Sequence, residues 1–276
     1  MTIHEALKEA TQTLQPSCPR PRFEAELLLS YHLHRPRHFL AAYPDATVPD
    51  LDAYRNLVAR RAAFEPYEYI VGSASFYDIE LYVAPGVLIP RPETELLVDK
   101  AAEIIAKHNL TSVIEVGIGS GAISIMLART FPQLRITATD ISPDALSIAR
   151  RNIERYGLQE RITLMHTDLL DGVESAPLVV SNPPYIADDA PLDANVKAYE
   201  PHQALFGGEK GDELLKRLID EVHARRIPFL TCETGYDQKA SLAAYVARKG
   251  DYTMTFYNDL AGLNRGFVME RTDEKK

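Results

Sequence analysis

A short apolar run, Val113-Ile114-Glu115-Val116, passes directly into Gly117-Ile118-Gly119-Ser120-Gly121. A helical stretch follows from Ala122 to Thr130, with apolar Ile123, Ile125, Met126 and Leu127. Strand, glycine turn and helix in that order open a βαβ unit and confine the chain to an α/β architecture. From Ser112 onward strand and helix patterns alternate, which predicts a mostly parallel sheet with helices on both faces. Further strands are expected at 136–140, 162–166, 177–181, 228–233, 252–257 and 266–270. The last two lie close in sequence and predict an antiparallel end pair.

The loop also carries chemistry. Glycines at alternate positions let backbone approach a ligand, and the helix start offers free N–H groups to an anionic group. Dinucleotide, nucleoside and phosphate sites all use such loops. The dinucleotide fingerprint is G-x-G-x-x-G, whereas here it is G-x-G-x-G with Glu115 two residues ahead. That arrangement fits S-adenosylmethionine, whose amino-acid end has a carboxylate for the helix start and an ammonium for an acidic neighbour. Asp140, followed by Ile141, ends the next strand, placed to accept from both ribose hydroxyls. The alternative is that Asp140 or Ser142 caps the helix that begins near Pro143. One strand later, Asp168 is a candidate acceptor for an adenine amino group with Leu169 packing on the ring; a plain turn acid is the alternative. The cofactor candidates are thus Glu115, Gly117, Ile118, Gly119, Ser120, Gly121, Asp140, Ile141, Asp168, Leu169 and Asn182.

Asn182-Pro183-Pro184-Tyr185 follows the buried-strand run Pro177–Ser181. Two prolines cannot continue a strand, because each lacks the N–H that the ladder needs. The break falls where α/β proteins bind ligands, at a strand's C-terminal end. It presents the Asn182 amide, the Pro183 carbonyl and the Tyr185 ring. Amide oxygen and carbonyl can accept two N–H bonds from a flat –C(=O)NH₂ or ring –NH₂ group while the ring stacks on it. A Pro-rich turn is the plain reading of the tetrapeptide alone; its place after a buried strand argues against it.

At 276 residues the chain suggests one to two domains. Cys18 and Cys232 give neither a disulfide framework nor zinc spacing, and none of the histidines has a ligand partner at metal spacing, so no metal is expected. The formal charge is −9; the N-terminal 72 residues are close to neutral, so the acidity falls in the α/β half. That argues against general affinity for nucleic-acid backbone. Arg20, Arg22, Arg35, Arg37, Arg60 and Arg61 read as solvated helical surface. No apolar run is long enough to span a bilayer, and the N-terminus lacks signal-peptide regions. A monomer in a reducing cytoplasm is the expectation.

Residues 1–72 read as a helical domain. Ile3, Ala6, Leu7 and Ala10 mark one face, 24–33 a second helix and 51–63 a third, separated by Pro16, Pro19, Pro21, Pro44 and Pro49. Residues 73–92 read as a hairpin linker, with Phe76–Val83 rich in aromatic and β-branched residues before the Pro85-Gly86 turn. A helix beginning near Thr94 opens the α/β domain, 93–276, and residues 271–276 read as a disordered tail.

Several segments are more specific than the glycine loop. They are Leu88-Ile89-Pro90-Arg91-Pro92-Glu93-Thr94-Glu95, Ser181–Tyr185, Tyr199-Glu200-Pro201 with Ala204-Leu205-Phe206-Gly207-Gly208, Glu233-Thr234-Gly235-Tyr236-Asp237-Gln238 and Asp259-Leu260-Ala261-Gly262. With them the chain resembles, over nearly its whole length, the protein-glutamine N5-methyltransferases that modify peptide-chain release factors. Thr234 departs from the family, where an aliphatic residue is expected. The resemblance implies a Rossmann-like S-adenosylmethionine-dependent methyltransferase domain with a seven-stranded sheet, a helical N-terminal domain that engages the release factor, and a hairpin linker. The implied substrate is the glutamine of the release factor's Gly-Gly-Gln loop. Asn182, Pro183 and Tyr185 are then catalytic, and Asn182, Pro183, Pro184 and Tyr185 bind substrate. Arg91 and Glu93 either contact the cofactor or substrate loop or form an interdomain salt link; Glu200 and Tyr199 belong to a lid or a turn.

Two other classes compete. A nucleic-acid adenine-N6 methyltransferase would use the same NPPY grip on a flipped base, but it predicts a strongly basic groove. A non-catalytic module would not be expected to keep the glycine loop, Asp140 and NPPY together.

Overall fold

The computed structural model describes residues 1–272. They divide into two units, one of residues 1–73 with 192–199, the other of residues 74–191 with 200 onward. Among the described residues no helix is long and apolar enough to cross a membrane.

The first unit is helical: α1 (Ile3–Leu14), α2 (Pro21–Leu33), α3 (Arg37–Ala42), α4 (Leu51–Ala62) and α5 (Tyr67–Val71). Thr2 starts α1 with a capping box, its hydroxyl accepting from Glu5 N at 3.2 Å while the Glu5 carboxylate accepts from Thr2 N at 2.8 Å. Such a cap satisfies two of the N–H groups that a helix start leaves without partners. Pro21 sits at the first turn of α2, where its missing N–H costs nothing. Helices α3 and α5 were not expected; each is too short to display an apolar period. Leu7, Leu14, Leu28, Leu29 and Tyr54 are buried in one core, and the Tyr54 hydroxyl donates to Ala25 O at 3.1 Å. Four of the six arginines are tied to acids: Arg22 and Arg37 to Glu26, Arg61 to Glu24, Arg60 to Glu65.

The second unit begins with β1 (Ser73–Phe76) and β2 (Ile79–Tyr82), a two-stranded sheet. In chain order follow α6 (Thr94–His108), β3 (Ser112–Val116), α7 (Ala122–Thr130), β4 (Arg135–Asp140), α8 (Pro143–Arg155), β5 (Ile162–His166), β6 (Leu178–Ser181) and β7 (Ile186–Ala187). After α9 (Ala194–Tyr199), which packs with the first unit, come β8 (Phe206–Gly208), α10 (Glu213–Ala224), β9 (Phe229–Glu233), α11 (Lys239–Ala247), β10 (Tyr252–Asn258) and β11 (Asn264–Arg271).

Seven strands form one sheet in the order β10-β11-β9-β6-β3-β4-β5. The β3–β4, β4–β5, β3–β6 and β6–β9 pairs are parallel, and β11 pairs antiparallel with both β9 and β10. The fold is therefore the expected mostly parallel Rossmann-like sheet with an antiparallel end pair. One core carries α6, α7 and α8 residues, the other α10 and α11 residues, so helices cover both faces. Central β6 explains its own sequence: Leu178, Val179, Val180 and Ser181 are all fully buried, as a strand covered on both sides requires.

Phe76, Ile79 and Leu81 of the small sheet join the first of these cores. Tyr82 of β2 exchanges two bonds with the Asn152 amide of α8, which also donates to Ser120 O at 2.8 Å. The Tyr156 hydroxyl bonds Glu80 N and O in the same way. The edge of β2 is thus satisfied by side chains, and Asn152 links it to the glycine loop. Arg271, expected in a disordered tail, pairs with Tyr252 at the end of β11; residues 273–276 lie outside the described residues.

Candidate active site

Strand order reverses between β3 and β6, each parallel neighbour leading to a different side of the sheet. The crevice at the C-terminal ends there is where doubly wound sheets bind ligands. It holds an open cleft lined by both polar and apolar groups, the concave kind of surface that small-molecule sites use. Glu115, Gly117, Ile118, Gly119, Ser120, Asp140, Ile141, Asn182 and Arg91 all line it.

Glu115 projects from β3 and is fully buried. Its Oε2 accepts from Ser124 N at 2.9 Å and from the Ser124 hydroxyl, while Oε1 is buried without a partner. Burial pushes its carboxyl up to about 8, against the pull of the two Ser124 donors. An orphaned carboxylate oxygen on the cleft wall suits a cation. Asp140 ends β4; its Oδ2 accepts from Gly119 N at 3.0 Å and its Oδ1 from Ser142 N at 2.9 Å. Burial raises its pKa, opposed by these backbone N–H groups. The cap of α8 is Ser142, which accepts from Ala145 N at 3.2 Å, so Asp140 is left to shape the loop and face the cleft. Space around Gly119 is open: a Cβ there would meet nothing within 4 Å.

The other wall is built from distant segments. Asn182 Nδ2 donates to Thr94 Oγ1 at 3.0 Å, and Thr94 Oγ1 donates to Glu233 Oε2 at 2.7 Å. The Tyr185 hydroxyl donates to Glu233 Oε1 at 2.9 Å. Gln238 Nε2 donates to Tyr185 O at 2.8 Å. Burial, then the neighbouring Glu233, holds Tyr185 as the neutral phenol. Arg91 Nη2 meets Glu200 Oε1 at 2.5 Å, and buried Glu200 also accepts from Ile89 N at 3.1 Å.

Parallel β7 and β8 hold the back of this segment, with Ile186 opposite Phe206. A Cβ on Gly207 would stand 2.5 Å from Pro184 O, so only glycine permits the approach. This two-stranded addition was not expected, because strands of two and three residues carry no period.

Not every candidate faces the cleft. Asp168 is paired with Arg217 at 2.6 Å on the exposed surface, and the Leu169 side chain is buried in the core against α10 and α11. Gly121 caps α7. Pro183, Pro184, Tyr185 and Glu93 are not among the lining residues. Conversely, Thr94 and Glu233 enter the site although sequence reasoning gave them no role. Their signal is register: Ser181 pairs with Cys232, which brings Glu233 beside Asn182.

A family model described as the PrmC N-terminal domain matches residues 5–72, and one described as the Methyltransferase small domain matches residues 93–198. A Koribacter versatilis protein named release factor glutamine methyltransferase is 39% identical over 246 residues, covering 86% of this chain and 87% of that protein. A Moorella thermoacetica protein of the same name is 35% identical over 284 aligned residues, covering 99% of this chain and all (100%) of that protein. The solved N-terminal domain of human METTL16 in complex with SAH shares the fold, with a TM-score of 0.53 at 17% identity, covering 83% of this chain and 86% of that chain. The chain belongs to the release factor glutamine methyltransferase family.

Proposed function

We propose that the protein transfers a methyl group from S-adenosylmethionine to the side-chain amide nitrogen of the glutamine in a release factor's Gly-Gly-Gln loop. The observation that carries the reading is one cleft lined both by the Glu115–Ser120 loop with Asp140 and by Asn182, whose Nδ2 is already engaged by Thr94. The family relatives share the named activity.

The residues suit the cofactor. The orphaned Glu115 oxygen answers an ammonium, the start of α7 a carboxylate, and the remaining Asp140 lone pairs the ribose hydroxyls. Bound S-adenosylmethionine supplies a sulfonium methyl, the C–S electron pair leaving to sulfur as the new C–N bond forms. An amide nitrogen is a poor nucleophile because its lone pair is delocalised into the carbonyl. The chain therefore contributes mainly position. Asn182 Oδ1 and the Pro183 carbonyl accept the two N–H bonds, and Tyr185 stacks on the amide. Accepting bonds favour positive charge developing on nitrogen. Asn182 is neutral, so the proton leaves to water after transfer rather than to a strong base. Residues 1–72 engage the release factor, 73–92 form the linker and 93–276 carry the chemistry. Arg91, held by Glu200 on the cleft wall, orients the substrate loop.

The test offers labelled methyl from S-adenosylmethionine to a release factor, to the same factor with its loop glutamine changed to alanine, and to bulk DNA. Label on the unaltered factor alone supports the reading. Label on DNA overturns it in favour of adenine methylation.

A further inference from the structure

Asn182 is useful as an acceptor only if its oxygen, not its nitrogen, faces the incoming amide. Nothing intrinsic to asparagine decides this, since the two ends of the amide have nearly the same shape. Resting on the acceptor role of Asn182 proposed above, we infer that Glu233, acting through Thr94, is a positioning residue that sets which end of the Asn182 amide faces the substrate.

The count of protons decides the orientation. A carboxylate accepts only, and Glu233 has two donors against it: Thr94 on Oε2 at 2.7 Å and Tyr185 on Oε1 at 2.9 Å. Thr94 has one hydroxyl proton, and Glu233 takes it. Its lone pairs are then all it can show to Asn182, so the amide must turn its NH₂ towards Thr94, as the 3.0 Å contact has it. Oδ1 is left as an acceptor on the cleft side. Thr94 and Glu233 are both buried, so water cannot easily substitute in either bond. The same carboxylate fixes the Tyr185 hydroxyl, which ties ring and amide to one anchor.

Protonating Glu233 breaks the logic. A carboxylic acid can donate to Thr94, and Thr94 can then donate to Asn182 Oδ1 and turn the amide over. Burial raises the Glu233 pKa, opposed by Thr94 and Tyr185. Groups facing it from the packed elements are Thr94 on α6, Glu93 before it, Tyr185 after β6, Tyr257 on β10 and Arg265 on β11. Glu93 raises the value and Arg265, itself held by Asp259, lowers it. Turnover should therefore rise with pH through a raised carboxyl titration.

The experiment compares full-length Glu233→Gln, Thr94→Val, Thr94→Ser and Asn182→Ala with the parent protein. It reads methyl transfer to a release factor, S-adenosylmethionine affinity and thermal unfolding. A glutamine at 233 can donate to Thr94 and so permits the reversed amide. Glu233→Gln and Thr94→Val should each lower kcat about 100-fold, with cofactor affinity held within about twofold. Thr94→Ser keeps the hydroxyl and should restore kcat to within about threefold. The acid limb of the parent's pH profile should be missing from Glu233→Gln. Parent-like kcat in folded Glu233→Gln and Thr94→Val, with Asn182→Ala inactive, overturns this inference and leaves the acceptor reading standing. Equal losses in Thr94→Ser and Thr94→Val also overturn it, since packing would then explain both. Full activity in Asn182→Ala overturns the acceptor reading itself.

Discussion

The two walls of the cleft are assembled differently. On the glycine-loop wall the supporting bonds span 32 residues at most: Glu115 to Ser124, nine residues on, Asp140 to Ser142, two on, and to Gly119, 21 back, and Asn152 to Ser120, 32 back. On the Asn182 wall they cross the chain, with Asn182 and Thr94 separated by 88 residues and Thr94 and Glu233 by 139. A wall made by such contacts comes into being with the one continuous segment from β3 to α8. A wall made by distant contacts exists only when the whole sheet has formed, and it fails when any distant support is lost.

The sharpest test separates the walls by function. Asn182→Ala should lower turnover by about 10³-fold while S-adenosylmethionine affinity stays within about twofold. Asp140→Ala should do the reverse, weakening cofactor affinity by about 10- to 100-fold, with most of kcat recovered at saturating cofactor. Titration calorimetry beside steady-state kinetics reads both. Equal loss of affinity and turnover in either variant would erase the division.

Gly207→Ala probes the long-range wall without touching a side chain of it. The new Cβ must displace Pro184 O from 2.5 Å, so a destabilisation of about 1–3 kcal/mol is expected. Denaturant unfolding measures it, and kcat should fall further than cofactor affinity if the strain reaches Asn182. An unchanged unfolding midpoint would mean that β8 can move away freely.

The smallest effect tests the local wall by pH. Burial holds the Glu115 carboxyl up to about 8, so at neutral pH it is largely protonated, while pairing with an ammonium needs the ionised form. Cofactor affinity should therefore strengthen as pH rises from about 6.5 to 8, by up to about tenfold per pH unit. Glu115→Gln should flatten that slope. For the cofactor-free protein the sign is opposite: a carboxyl with a raised folded pKa gives stability that is lost as pH rises from about 4.5 towards 8.

The α/β class, the end pair of antiparallel strands, α6, α7 and the strand break at Pro183-Pro184 were legible because each rests on local pattern: apolar period, glycine spacing, or the missing proline N–H. Glu115, Asp140 and Asn182, at or beside strand ends, do line the cleft; their roles there are those proposed above. Asp168 and Leu169 are placed differently. They also follow a strand, but Arg217 on α10 draws the Asp168 carboxylate to the surface and the core takes the Leu169 side chain. Thr94 read as a helix start and Glu233 as the end of a strand; nothing within ten residues of either marks a partner. The β7–β8 pair, too, has no local signal.

Sequence by itself determined the elements and the residues exposed at their ends, because backbone geometry and side-chain period act over a few residues. Only the tertiary structure decided which of those ends share one cleft, that Glu233 and Thr94 stand behind Asn182, and which way the Asn182 amide points. Those depend on strand order and register, which bring together groups more than a hundred residues apart, and on the cost of leaving a buried polar group without a partner.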